Sequence, residues 1–204
     1  MYLTRINLDS TNRKTMAAYT QRNLFHGALE HAFTGERERT LWRLDRVAGK
    51  DYMLILSPSM PNTDGLVSQF GTGNPAESKD YGILLNRIQN GSMWGFRLVA
   101  NPTRVVTNGE TKKIVAHTSV QFQKEWLMRK AESSGFMLKP KWFGVNGSSW
   151  EKFTRENSTI TFLSVTFEGT LKVTDADKLR KAIASGIGRE KAYGMGMITL
   201  ARMA

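Results

Sequence analysis

From position 161 to 173 the side chains alternate, and this stretch is the clearest strand in the chain. Leu163, Val165, Phe167, Leu171 and Val173 fall on one face; Phe162, Ser164, Thr166, Glu168 and Thr170 fall on the other. A period of two is the signature of an extended strand. Such a strand cannot stand alone: it needs neighbours along its edges and a helix or sheet against its apolar face. The residues on either side supply candidates. Residues 94–100 alternate Trp94, Phe96, Leu98 and Ala100 against Arg97, and residues 119–134 read as a helix stopped by Gly135. Residues 136–143 read as a strand broken by Pro140, and residues 145–158 as a polar, irregular stretch. After the long strand, Thr174 or Asp175 can cap a helix running to Ser185. A glycine-rich loop and a short strand over 197–200 complete the series.

The first half carries the same order. Residues 2–9 alternate, with Tyr2, Thr4, Ile6 and Leu8 on one face. A helix is expected over 20–33, with Gly35 placed to stop it. Strands are expected over 41–45 and 52–57, then a polar loop over 58–80 with one short helix at 66–70, then a last strand over 81–88. Asn90, Gly91 and Ser92 make a boundary, giving domains at 1–90 and 91–204. Strand, helix, strand, strand, helix, strand, run twice, is an α+β pattern of two tandem ferredoxin-like domains.

Composition narrows the chemistry. The 204 residues include no cysteine, which removes disulfides, thiol nucleophiles, thiolate zinc sites and iron–sulfur clusters together. Residues 1–10 lack the apolar stretch of a secretion signal, and no apolar run approaches the roughly 18 residues of a membrane span. A cytoplasmic protein is expected. Lys and Arg number 29 against 18 Asp and Glu, a formal net charge of +11. A balance this basic points to an anionic partner, of which nucleic acid is the commonest.

Only three histidines are present, His26, His31 and His117. His26 and His31 would point about 140° apart on a helix and cannot share a metal as an i, i+4 pair would. No metal and no cofactor are expected. On a helical wheel Leu24, Phe25, Ala28, Leu29, Ala32 and Phe33 form one broad apolar face with His26 at its edge. Asn23 and Glu30 lie beside His26 on the polar side. An imidazole so placed is oriented, stays in reach of solvent, and has an ordinary pKa of about 6.5 suited to proton transfer. A boundary histidine with a solvated neighbour accounts for the same pattern.

Gly186, Gly188, Gly194 and Gly196 fall in one short stretch with Arg189 and Lys191. Glycine lets backbone N–H groups approach a phosphate closely. No Gly-Lys-Ser/Thr ends the stretch, so it is not a Walker loop, and a tight packing turn is the competing explanation. Basic residues interleave with aromatics at Lys139, Lys141, Trp142 and Phe143, and at Trp150, Lys152, Phe153 and Arg155. That mixture suits backbone contact and base stacking. Arg37, Arg39, Arg43, Lys112, Lys113, Arg129 and Lys130 add further charge.

Four stretches, in order, resemble one family. They are Met1-Tyr2-Leu3-Thr4 with Phe25-His26-Gly27-Ala28-Leu29; Arg39-Thr40-Leu41-Trp42-Arg43-Leu44; Phe96-Arg97-Leu98-Val99-Ala100-Asn101-Pro102; and Phe167-Glu168-Gly169-Thr170-Leu171 with the glycine-rich stretch. The chain resembles the CasE family, CRISPR-associated endoribonucleases of type I-E systems in the RAMP group. The resemblance implies two ferredoxin-like domains. It implies metal-independent cleavage of CRISPR repeat RNA at the base of its hairpin, by attack of the substrate's 2′-hydroxyl, leaving a 2′,3′-cyclic phosphate. It implies that the product stays bound and that the protein joins a surveillance complex.

The family's catalytic histidine falls on His26. Relatives carry tyrosine three residues earlier, where this chain has Asn23, which can donate a hydrogen bond but cannot transfer a proton. Tyr19 and Glu30 are the other candidate supporting groups. RNA contact is expected at Arg22, Arg129, Lys130, Lys152, Arg155, Arg189 and Lys191, and at Gly188, Gly194 and Gly196. Residues 145–158 are the expected element against the hairpin. Two other readings are a non-catalytic RNA-hairpin-binding subunit of the same complex and a general binder of double-stranded nucleic acid.

Overall fold

A computed structural model describes residues 1–34, 38–155 and 158–203. Gly35, expected to stop the first helix, and Arg37 lie outside them. The elements, in chain order, are β1 (Tyr2–Leu8), α1 (Arg13–Thr20), α2 (Arg22–Glu30), β2 (Leu41–Val47), β3 (Lys50–Ser57), α3 (Asp64–Phe70), β4 (Glu77–Asp80) and α4 (Gly82–Leu85). They continue with β5 (Met93–Ala100), β6 (Thr103–Asn108), β7 (Thr111–Ala116), α5 (Val120–Ser133), β8 (Phe136–Met137), β9 (Phe143–Arg155), β10 (Ser158–Val173), α6 (Ala176–Ser185) and β11 (Ile198–Ala201). A 3-10 turn, Lys191–Tyr193, precedes β11.

The chain forms two compact units. The first holds Met1–Arg87 and takes in Lys152–Ile160 and Lys191–Gly194; the second holds the rest. So the first unit draws two short segments from beyond the boundary at Asn90.

The first unit's sheet runs β2-β3-β1-β4, all antiparallel. This is the ferredoxin-like order, with the first and third strands in the middle. The alternation of β1 buries Thr4, Ile6 and Leu8. With Trp42, Met53 and Ile55 from the neighbouring strands they face Ala18 of α1, Phe25 and Leu29 of α2, and Leu66 and Phe70 of α3. The Phe25 ring sits at the centre of this core, 4.9 Å from Phe70 and 5.7 Å from Trp42.

Three details of this unit differ from expectation. The helix expected over 20–33 is the shorter α2, Arg22–Glu30, and an unexpected helix, α1, precedes it with a break at Gln21 (φ −130°, ψ 79°). Neither Gly nor Pro marks that break, so tertiary packing overrides local propensity there. Leu24, assigned to the apolar face, is 39% exposed. The strand expected over 81–88 is instead β4, Glu77–Asp80, followed by the helical turn α4. β4 is fully exposed and polar, so hydrophobic patterning could not reveal it. Main-chain pairing with β1 holds it, aided by Arg5, whose Nη2 donates to both Glu77 carboxylate oxygens at 2.9 and 2.8 Å. Asp80 then accepts from Gly82 N at 2.8 Å and turns the chain into α4.

The second unit repeats the order as β11-β5-β10-β8, with β9 also paired to β10. Val165, Phe167, Leu171 and Val173 of β10 are all buried, with Trp126 and Leu127 of α5 and Leu179 and Ile183 of α6. Trp126 stacks on Phe167 at 6.2 Å. Asp175 is the cap of α6, accepting from Lys178 N at 3.0 Å.

Here too the outcome corrects the sequence. The strand expected over 136–143 shrinks to Phe136–Met137, because Pro140 has no N–H to give a ladder. Residues 145–158, expected to be irregular, fall largely in the 13-residue strand β9. Its middle is exposed, so it lacks the apolar alternation that marks a half-buried strand. The hairpin β6–β7 was not expected. Its two-residue turn at Gly109 and Glu110 is the signal that marks it.

Candidate active site

His26 lies on α2, whose buried positions are Phe25 and Leu29. Those two side chains fix the helix against the core, and that sets where position 26 must point. The imidazole is at the edge of the buried face, 25% exposed. Its Nε2 is 3.5 Å from Glu30 Oε1, one turn further on. A carboxylate one helical turn on is placed to orient the ring.

Tyr19, at the end of α1, packs edge-on against Phe25 at 5.8 Å. Its hydroxyl is buried and makes no hydrogen bond to His26. Burial first, and the neighbouring Asp51 carboxylate second, push its pKa up to about 12. Arg22, in the first turn of α2, opposes that shift. At neutral pH Tyr19 is a neutral phenol, able to donate a hydrogen bond but not to act as a base. Asn23 lies one turn before His26, and its Oδ1 is buried without a hydrogen-bond partner.

The glycine-rich stretch reaches this unit through the turn Lys191–Tyr193, which lies against α2 and β2. Trp42 Nε1 donates to Ala192 O at 3.3 Å. Gly194 follows with φ +85°; a Cβ there would meet the Trp42 ring at 3.0 Å. The end of β9 joins the same turn: Phe153 packs edge-on against Tyr193 at 4.9 Å, and Arg155 Nη1 donates to the Tyr193 hydroxyl at 3.4 Å. Lys152 and Arg155 are exposed on either side of buried Phe153. Three sequence-distant stretches, around His26, Lys152 and Lys191, thus come together in one unit.

The other expected contacts lie in the second unit. Arg129 and Lys130 are exposed on α5, and Arg189 is exposed before the turn. Gly188 packs on Trp126, where a Cβ would come within 3.2 Å of the ring. Gly196 has φ +87° and would place a Cβ 2.8 Å from Ile187 O. Close packing leaves no room for a side chain at any of the three glycines. Sequence reasoning missed the role of Tyr193, which ties the turn to β9; its position between Lys191 and Gly194 was the available signal.

Among the described residues, no group of three or more His, Cys, Asp or Glu is placed to hold a metal ion. No described helix is long and apolar enough to cross a membrane.

A family model described as CRISPR associated protein matches residues 1–202. The chain belongs to that family of CRISPR-associated proteins. Within it, the chain is 26% identical to a Thermus thermophilus protein named CRISPR-associated endoribonuclease Cse3, over 98% of this chain and 100% of the relative. It is similar to a solved structure of CRISPR endoribonuclease Cse3 bound to 19 nt RNA, at 25% identity and a TM-score of 0.85, covering 99% of this chain and 100% of that one. A chain of a CRISPR RNA-guided surveillance complex, 23% identical, shares the fold at a TM-score of 0.76, with both chains covered in full.

Proposed function

We propose that this chain is an endoribonuclease that cleaves CRISPR repeat RNA at the base of its hairpin to release mature guide RNA. The observation that carries this reading is His26, held by Glu30 at the rim of the first unit's core, with Lys191 and Arg155 brought into the same unit. Membership in the CRISPR-associated family and the likeness to an endoribonuclease support it.

The reaction is an internal transfer. The 2′-hydroxyl beside the scissile phosphate attacks phosphorus, the bond from phosphorus to the 5′-oxygen breaks, and a 2′,3′-cyclic phosphate and a 5′-hydroxyl result. One proton must leave the 2′-oxygen and one must reach the 5′-oxygen. His26 moves a proton at one or both of these atoms, a contribution of typically 10²–10⁴-fold for a placed acid or base. Lys191 and Arg155 offset the charge that builds on the phosphoryl oxygens. Asn23 contributes at most a hydrogen bond. No step requires a metal ion.

Hairpin RNA is recognised largely through its shape and backbone. The exposed cations Arg129, Lys130, Lys152, Arg155 and Arg189, with Arg22 and Lys191, are the proposed backbone contacts, the glycines shaping the turn that presents Lys191. The product stays bound, the protein serves as a subunit of the surveillance complex, and the reaction belongs to the cytoplasm. Incubating the protein with a repeat hairpin in excess EDTA and analysing the product ends tests the reading. A cyclic phosphate on the hairpin fragment is the expected result; no cleavage of any CRISPR repeat overturns it.

Asn23, in place of the tyrosine of relatives, favours a second reading: an RNA-holding subunit that does not cut. Tight hairpin binding with no product in the same assay selects it.

A further inference from the structure

A groove of about 520 Å³ opens beside α2 in the first unit. It lies within the range of about 300–1,000 Å³ usual for small-ligand sites. Leu24 and Phe70 give it apolar walls, Asn23 and Gln69 bring two amides, and Lys14 and His31 also line it. The floor is open at Gly27: a Cβ built there meets no atom within 4 Å, and its backbone is ordinary helix. Asn23 Oδ1, buried and without a hydrogen-bond partner, is an acceptor in want of a donor.

Resting on the RNA-cleavage reading above, we propose that this groove holds the unpaired nucleobase just 3′ of the scissile phosphate. Splaying a paired stem base into a pocket costs its pairing and stacking, whereas the base beyond the stem has no pair to break, and single-stranded RNA is read by such capture. The two amides present donors and acceptors that match a base edge. Leu24 and Phe70 supply apolar contact for the base, and Lys14 a charge for the phosphate that follows. Asn23 stands one helical turn before His26, so a base bound there keeps the adjoining ribose and phosphate near the imidazole. Asn23, where relatives carry tyrosine, thereby becomes a specificity residue rather than a proton carrier.

Full-length protein carrying His26→Ala keeps the RNA intact, so that binding alone is read. The probes are a repeat hairpin extended past the cut and the same RNA made abasic at the first nucleotide 3′ of the cut. The abasic RNA is expected to bind about tenfold more weakly, the scale of removing one bound base. Adding Gly27→Leu fills the groove; both RNAs then bind at the weaker level and their difference vanishes. Gln69→Ala, on a different helix, narrows the difference without touching α2, and thermal unfolding verifies that each variant is folded. Equal binding of the two RNAs by the His26→Ala protein overturns the proposal, as does a difference that survives Gly27→Leu. That last result leaves hairpin binding, and the cleavage reading, standing. Failure to bind either RNA overturns both.

Discussion

Tyr19 and His26 sit close in sequence but in different surroundings. The phenol is buried beside a carboxylate, so its proton is held tightly, with a pKa of about 12. In the unfolded chain the same group titrates near 10. The folded state therefore prefers the neutral phenol, and the stability that this preference brings is full below about pH 10 and lost as pH rises toward 12. Wild type should lose stability over that window more steeply than Tyr19→Phe, as read by urea unfolding at a series of pH values. At neutral pH Tyr19→Phe should leave cleavage within about tenfold of wild type, since a phenol that keeps its proton contributes less than a placed acid or base. A second residue-scale case is Arg43, which with Asp45 forms a buried bidentate pair at 2.8 and 2.7 Å. Their side chains are 2% and 8% exposed. Asp45→Ala should cost about 3–5 kcal/mol in denaturant unfolding, because a guanidinium is left in the interior without that carboxylate. His26 was legible in the sequence because an apolar stripe predicts which residue falls at its edge. The groove beside α2 was not, since it is made by three helices whose relative placement no local pattern encodes.

At the scale of elements, legibility followed burial. Strands β1, β5 and β10, with one face in the core, carry alternation and were placed to within a few residues. β4 and β9, which are polar and largely exposed, carry none and were misread as loop or irregular chain. The break at Gln21 was invisible for the related reason that no breaker residue causes it. The turn after α6 is the opposite case: its glycines are conspicuous in the sequence, and the crowding around them is not. Gly194→Ala should destabilise the protein by roughly 1–3 kcal/mol, through a left-handed backbone and the crowding of Trp42. Its hairpin affinity, measured where the variant is still folded, should fall because Lys191 is displaced. Lys152 and Arg155 act from an exposed strand end and should behave differently. Replacing both with Ala should cost about 0.5–1.5 kcal/mol in unfolding, the scale of the Arg155–Tyr193 hydrogen bond that is lost. The same double variant should bind RNA more weakly and flatten the logarithmic salt dependence by about 0.7–0.9 for each phosphate that it no longer neutralises.

The whole molecule carries a net charge of +11 on two ferredoxin-like units. Charge alone specified an anionic partner and nothing finer; the ordered motifs pointed to the family, and the match over residues 1–202 establishes it. What the fold adds is the gathering of His26, Lys152, Arg155 and Lys191 into one unit from three separate stretches. That gathering puts an imidazole and three cations in one unit, the groups on which the proposed phosphoryl transfer would draw. The most direct test compares wild type with His26→Ala on one repeat hairpin in EDTA, reading binding and cleavage from the same samples. The account predicts that the variant binds as tightly as wild type while cleavage falls by about 10²–10⁴-fold. Cleavage at the wild-type rate by His26→Ala would contradict it.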